Sequence, residues 1–241
     1  MDALRIEISG PTASFRFPHF LIGRQPTFPM PPPSTIYGLL TCIAGTPPDP
    51  TSVSFAYRFE CENERVDDIE KIWFLEPNKS TRGPTKEFNL EGNSNILPRE
   101  WLIFPRLTLY LAGESLDFWM NAFRSPRYPP VLGRSQDLAS IRSVTKVTLE
   151  KANHGRLGPG LFSPELAEVL PAGEMLRMPR MKEPTNRENK SWGLYIAVSQ
   201  FLLAGPDRAV CLDGSLELWA DAVLSPGEPH LIEFHRFSNA D

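Results

Sequence analysis

The stretch that most constrains the fold is residues 31–45 (PPPSTIYGLLTCIAG), where three prolines lead directly into a helical pattern. Ser34 or Thr35 is predicted to cap this helix, because the first N–H groups of a helix have no acceptor within it. Gly45 ends the pattern. Apolar side chains recur with helical spacing at Ile36, Leu39, Leu40 and Ile43. The helix should therefore pack on another layer, and its positive N-terminal end is a candidate phosphate site.

The composition is that of a globular protein with short elements. Of the 241 residues, 41% are hydrophobic and 22% are charged, and 25 prolines with 16 glycines predict many stiff turns. The net charge of -4 excludes a surface that attracts nucleic acid everywhere, but it allows a local basic groove.

Targeting and metal-binding signals are missing from the sequence. The N-terminal residues lack the basic and apolar regions of a signal peptide, and no apolar run is long enough to cross a bilayer. Cys42, Cys61 and Cys211 have no metal-ligand spacing and are interpreted as core residues. These features predict a cytoplasmic protein without a membrane association, a metal or a cofactor.

The order of elements in the first part of the chain predicts an α+β fold. Alternating patterns mark strands at residues 4–9, 53–61, 71–75 and 101–111, and a second helix is predicted over 116–124. A closing strand near 138–144 completes the order β-α-β-β-α-β, which is ferredoxin-like and related to the RRM fold. We therefore expect a ferredoxin-like domain over residues 1–145.

A polar segment and a second unit complete the expected organisation. Residues 77–100 carry little hydrophobic signal and predict an exposed, extended hairpin. Residues 146–241 predict a smaller antiparallel β-rich unit in which 155–160 form a flexible loop. The strands of this part are expected at 144–149, 173–179, 194–203, 216–224 and 231–237.

The basic residues are more informative than the scattered histidines. No nucleotide-binding loop, metalloprotease motif or nucleophile elbow is present, so no catalytic residue is assigned. Asp67, Asp68 and Glu70 are interpreted as solvated carboxylates. Arginine grips phosphate through a planar fork, and aromatic rings such as Phe15, Phe17, Tyr37 and Tyr128 stack on bases. The basic residues of the loops around the proposed sheet are Arg16, Arg24, Lys79, Arg82, Lys86, Arg124, Arg127 and Arg134.

Three motifs together resemble the fifth family of CRISPR-associated proteins (Cas five, or Cas5). They are residues 8–18 (ISGPTASFRFP), residues 31–40 (PPPSTIYGLL) and residues 132–139 (LGRSQDLA). This family supplies a RAMP-type subunit of the class 1 effector complexes called Cascade. The length and the Gly-Arg-Ser motif look closest to type I-B or related members.

The resemblance implies an RNA-binding role. The subunit would hold the 5′ handle of the CRISPR RNA, contact the large PAM-reading subunit, and meet target DNA only through the complex. A thumb-like hairpin, matched by residues 77–100, would contact the Cascade backbone subunit. The thumb residues would be Lys79, Arg82, Lys86 and Phe88. The RNA-binding residues would be Arg16, Arg24, Ser34, Thr35, Tyr37, Arg127, Arg134 and Ser135.

Two other functions stay open at this point. One branch of the family cuts precursor RNA without metal through a tyrosine, lysine and histidine. This sequence has only Lys151 and His154 three residues apart, so a non-catalytic subunit is favoured over an endoribonuclease. An adaptor that binds no RNA is the other alternative, and it is supported mainly by the net acidity.

Overall fold

The strand β1 (Asp2–Ser9) organises the fold because its side chains alternate between two faces. Leu4, Ile6 and Ile8 are buried on the face that the helices cover. The computed structural model describes residues 1–20, 23–77, 89–170, 172–182, 190–201, 209–211, 217–224 and 229–238.

The described residues of the first half contain both predicted helices and three more strands than the order β-α-β-β-α-β requires. After β1 come β2 (Thr12–Ala13), α1 (Pro33–Ala44), β3 (Val53–Glu60), β4 (Asn63–Pro77), β5 (Asn89–Ile103), β6 (Arg106–Gly113), α2 (Leu116–Arg124) and β7 (Ser140–Thr148). The centre of the main sheet has the order β3-β6-β1-β7, and every neighbouring pair in it is antiparallel. Because α1 follows β1 and α2 follows β6, both helices return the chain across the same face of this sheet.

The second half consists mostly of short strands that extend this sheet or form a smaller one. They are β8 (Glu150–Lys151), β9 (His154–Leu157), β10 (Gly160–Phe162), β11 (Glu174–Lys182), β12 (Lys190–Val198), β13 (Ala209–Cys211), β14 (Trp219–Ala220), β15 (His230–Ile232) and β16 (His235–Arg236). A 3-10 turn covers Pro164–Leu166. Strands β10, β12 and β11 continue the main sheet beyond β3, and β16 also pairs with β3. A five-stranded sheet has the order β13-β9-β15-β14-β8. The domain boundary that we expected after residue 145 falls inside β7.

The helix α1 keeps its predicted apolar stripe but not its predicted cap. Ile36, Leu39, Leu40 and Ile43 are buried, and Gly45 ends the helix in the left-handed conformation with its N–H bonded to the Thr41 carbonyl. The helix starts at Pro33, and its N-cap is Pro32, which has no hydroxyl. The prediction that Ser34 or Thr35 caps the helix was therefore wrong, because both residues lie inside the first turn.

Several strand predictions also needed correction. The segment 101–111 is broken at Phe104 and Pro105, between β5 and β6. The predicted flexible loop at 155–160 contributes to β9 and β10 instead. Backbone pairing with partners far along the chain stabilises these short strands, and local periodicity carries no signal for that pairing.

The predicted hairpin belongs to a longer two-stranded ribbon. Strands β4 and β5 pair antiparallel from Asn63 opposite Ile103 to Pro77 opposite Asn89, and β2 joins them at the base of the ribbon. The predicted thumb residues Lys79, Arg82, Lys86 and Phe88 lie outside the described residues. In the described part of the chain, neither helix has the length and apolarity that a bilayer span requires.

Candidate nucleic-acid interface

Four of the predicted RNA-binding residues line one cavity at the N-terminal end of α1. The cavity has a volume of about 280 Å³, and Arg16, Ser34, Thr35 and Arg134 contribute to its wall. Arg99 of β5 also lines this cavity, although no motif in the sequence pointed to it. The fold thus brings together the first loop, the start of α1 and the loop that precedes β7.

The start of α1 leaves one backbone donor available beside this cavity. The Pro32 carbonyl accepts the Thr35 N–H at 2.8 Å and the Ile36 N–H at 3.4 Å. Pro33 has no N–H, and Ser34 lies too early in the helix to find an acceptor inside it. The Ser34 N–H and the positive end of the helix dipole therefore favour an anion at this position.

A fully buried carboxylate fixes the loop of residues 132–139. Asp137 accepts the Arg134 N–H at 3.0 Å and the guanidinium Nε and Nη2 at 2.9 and 2.8 Å. The Thr12 hydroxyl of β2 also donates to it at 2.8 Å. Asp137 therefore shapes the loop and ties it to β2, a role that we had not predicted.

Glycine is required next to that arginine. Gly133 has a φ of +107°, and a Cβ there would lie 2.3 Å from the Ser14 carbonyl oxygen. Such a distance is impossible for a real side chain, so any other residue would push the loop away from the wall of the cavity.

The guanidinium of Arg134 is held on several sides. Besides Asp137, it lies 3.6 Å from Glu70 and 4.4 Å from the centre of the Trp101 ring. Hydrogen bonding of the guanidinium to the Asp137 carboxylate is the main cause that raises the pKa of Arg134, and it outweighs the opposing effect of burial. Arg99 pairs with the same Glu70 at 2.5 Å. The charges of both arginines are therefore compensated by carboxylates.

Arg24 is compensated in the same way. Its guanidinium lies 2.8 Å from Asp67 and 2.9 Å from Glu100, and Glu100 also accepts the Thr27 N–H at 3.0 Å. The acidic residues of β4 that we interpreted as solvated include Glu70 and Asp67, and both in fact pair with arginines. These ion pairs attach the first loop to the base of the ribbon.

Arg16 differs from the other arginines of this region. Its side chain is exposed, and no carboxylate of the described residues forms an ion pair with it. Its backbone bridges to Thr27, which holds it at the rim of the cavity. Arg16 is thus the cation of the cavity wall that remains available to an external anion.

Three other predicted RNA-binding residues, Tyr37, Arg127 and Ser135, do not line this cavity. Tyr37 is 6% exposed, packs on Phe237 and donates its hydroxyl to the Pro48 carbonyl at 2.8 Å, so the predicted stacking role does not fit its position.

Arg127 lies at the opposite end of α1, where its N–H donates to the Ile43 carbonyl. Nine residues of helix separate that end from Ser34, which is about 14 Å. Ser135 is exposed, and its hydroxyl faces Gln136.

Comparison with known proteins agrees with this architecture. The model of the family described as CRISPR-associated protein (Cas_Cas5) matches residues 3–189. A chain of a CRISPR RNA-guided surveillance complex superposes with a TM-score of 0.52 at 17% identity, covering 86% of this chain and 95% of that one. A CRISPR protein from Archaeoglobus fulgidus gives a TM-score of 0.52 at 12% identity, covering 96% and 98%. No curated protein sequence matches the chain.

The fold is therefore a mixed, mainly β architecture that is shared with other CRISPR proteins. The family match covers most of the chain, and the chain belongs to the CRISPR-associated Cas5 family.

The role of Asp137 can be tested by removing its charge. Asp137→Asn should lower the free energy of unfolding by about 3 kcal/mol, because the Arg134 guanidinium would then be left without its main partner in a buried site. Urea unfolding followed by circular dichroism measures this change. Ser135→Ala, in the same loop but exposed, is the matched control and should stay within about 0.5 kcal/mol. Equal stability of the two variants would contradict the assigned role of Asp137.

Proposed function

We propose that this protein is a non-catalytic subunit of a type I CRISPR interference complex (Cascade) that binds and caps the 5′ handle of the CRISPR RNA. Membership of the Cas5 family and a fold shared with a chain of a CRISPR RNA-guided surveillance complex support a subunit of a CRISPR effector complex. The observation that carries the handle-binding proposal is the cavity at the start of α1, where the available Arg16 guanidinium meets the unpaired Ser34 N–H.

A ferredoxin-like arrangement is part of this proposal. The antiparallel order β3-β6-β1-β7, with a helix after β1 and another after β6, supports it. In this arrangement, the start of α1 and the loops around β2 lie beside one end of the sheet, where they can receive a strand of RNA.

The proposed mechanism divides the arginines into two groups. A handle phosphate binds to the Ser34 N–H and the Arg16 guanidinium, because neither donor has an acceptor among the residues that the structure describes. Arg24, Arg99 and Arg134 hold the surrounding loops in place through their carboxylate partners. RNA binding at this cavity therefore depends on geometry that the ion pairs maintain, and Arg16 is the cavity arginine that has no ion pair with a described carboxylate.

Replacing Arg16 tests this division. Arg16→Ala should weaken binding of the handle RNA about tenfold, because one hydrogen bond between charged groups is lost. The slope of log K against log salt should become shallower by about 0.7, which corresponds to one phosphate contact on a single strand. Fluorescence anisotropy over a salt series measures both quantities. Arg236→Ala, an exposed arginine on β16, is the control. If both variants bind alike, Arg16 has no part in the site.

The ribbon supports the proposed contact with the backbone subunit. Large apolar side chains on β4 and β5 are exposed, and such groups are typical of a surface that another protein covers. Their exposed fractions are 67% for Ile69, 48% for Trp73, 53% for Phe74, 60% for Leu75 and 59% for Ile96. Contacts with the large PAM-reading subunit, and with target DNA through the complex, belong to the same proposal.

Charge placed on the ribbon should prevent this docking. The double variant Ile69→Glu with Trp73→Glu should fold normally but fail to co-purify with the backbone subunit, since two carboxylates would have to be desolvated in the interface. Phe118→Glu, at a 52% exposed position of α2, is the matched control and should still assemble. Normal assembly of the ribbon variant would contradict the docking proposal.

The non-catalytic assignment is supported by the surroundings of the candidate residues. Lys151 is paired with Glu217, and the His154 ring faces the Asn153 side chain at 3.1 Å. Burial raises the pKa of the tyrosines at positions 37, 57, 110 and 195, which disfavours them as bases. Incubating the protein with a labelled repeat RNA in EDTA should leave the RNA intact. A single-site cut that disappears in His154→Ala would overturn the assignment.

A further inference from the structure

A strained aromatic residue stands at the turn between β5 and β6. Phe104 has a φ of +48°, although it precedes a proline and carries a bulky side chain, and both properties disfavour this conformation. Its N–H donates to the Pro11 carbonyl at 2.9 Å, and its side chain is 50% exposed. A glycine would make the same turn without strain, and a strained residue with an exposed ring directs attention to what that ring could bind.

A β-bulge directs an arginine toward the same region. Glu7 pairs with Ser143 and Ile8 with Ile141, so Arg142 is the extra residue of β7 between these pairs. Strand β7 is the last strand of the main sheet on this side. Bulges on edge strands commonly reorient a side chain for a function. The Arg142 Nε donates to the Ser9 hydroxyl at 2.8 Å, which fixes the position of the guanidinium.

Phe104, Arg106 and Arg142 line one cavity of about 340 Å³. Both arginines are exposed, and neither forms an ion pair with a carboxylate of the described residues. Glu62 is the acidic residue of this wall, so the two arginines outnumber the acidic residue that lines it. Glu60 lies opposite Arg106 across the β3–β6 pairing, and its carboxylate is ion-paired with Arg58. A planar ring beside two available guanidinium groups is the combination that binds the bases and phosphates of single strands.

A second groove extends this surface along β7. It has a volume of about 480 Å³, shares Ser140 and Arg142 with the first cavity, and adds Arg124 from the end of α2. Three exposed arginines therefore lie in sequence along the two joined cavities, in the order Arg106, Arg142 and Arg124. None of the residues that line these two cavities lines the cavity at the start of α1.

We propose that this surface, which we call the Phe104 surface, is a second binding site for single-stranded nucleic acid. A base stacks on the Phe104 ring, and consecutive phosphates contact Arg106, Arg142 and Arg124. RNA and single-stranded DNA share this chemistry. The site is separate from the proposed handle site and does not depend on it. An acidic protein segment would also meet the arginines, and competition by poly-glutamate in the test below distinguishes it from a nucleic acid.

The test is the affinity of the purified protein for labelled U20 RNA and dT20 DNA, measured by fluorescence anisotropy at low salt. Phe104→Leu should weaken binding of at least one probe fivefold or more, as expected for about one lost stacking contact. Phe118→Leu, which changes an equally exposed phenylalanine on α2, should bind like the unchanged protein. Phe104→Trp should retain binding, and thermal unfolding establishes that each variant is folded. Arg142→Ala should make the salt dependence shallower by about 0.7.

The same measurements in an Arg16→Ala background separate this site from the handle site. In that background, Phe104→Leu is expected to reduce the affinity for the probes by a similar factor, whether or not Arg16 itself contributes to probe binding. An effect on U20 alone or on dT20 alone identifies which nucleic acid the site prefers. Unchanged binding of both probes by Phe104→Leu and Arg142→Ala would overturn the proposal. A competition experiment adds a second check. If poly-glutamate displaces both probes as well as unlabelled dT20 of equal charge does, the proposal is overturned, because the surface then recognises only negative charge.

Discussion

The buried carboxylate of Asp137 is the constraint on which the candidate site depends. A charge without exposure to water is stable only when it is paired and hydrogen-bonded, and Asp137 meets this condition through Arg134 and Thr12. Arg134 in turn lies beside Glu70 of the ribbon, which also binds Arg99. The loop before β7, strand β2 and the base of the ribbon are thereby joined into one network around the start of α1.

This network explains how an acidic protein can present a local anion site. Most arginines near the cavity are neutralised by carboxylates, so they add rigidity and little net potential. The attraction for an anion comes from the helix start and from Arg16. Such a site would recognise a phosphate by position as well as by charge, which suits the proposed role of holding the 5′ handle of an RNA.

Much of the fold could be predicted because burial leaves a periodic signal in the sequence. The alternation in β1 and β3 and the stripe of α1 were read correctly, and α2 was predicted with its observed bounds. The short C-terminal strands could not be predicted well, since distant backbone pairing defines them. The predicted hydroxyl cap was wrong because the N-cap is Pro32, which makes no side-chain hydrogen bond to the helix.

The candidate site was predictable only in part. The motif around Arg134 indicated a specialised loop, but its partner Glu70 is distant in sequence, so the compensation of its charge was invisible. Arg127 and Arg134 were both predicted to bind RNA because they lie close together in sequence around one proline-rich loop. In the structure they lie at opposite ends of α1. Asp137 carried a usable signal, since an aspartate three residues after an arginine can close a loop on it.

The most direct measurement is photo-crosslinking of the effector complex assembled on guide RNA that carries 4-thiouridine at single positions of the 5′ handle. Mass spectrometry then identifies the crosslinked peptides of this subunit. The proposed handle site predicts crosslinks to the peptides that contain Arg16 and Ser34. Handle crosslinks that avoid both peptides and fall elsewhere on the chain would contradict a handle-binding site at the start of α1.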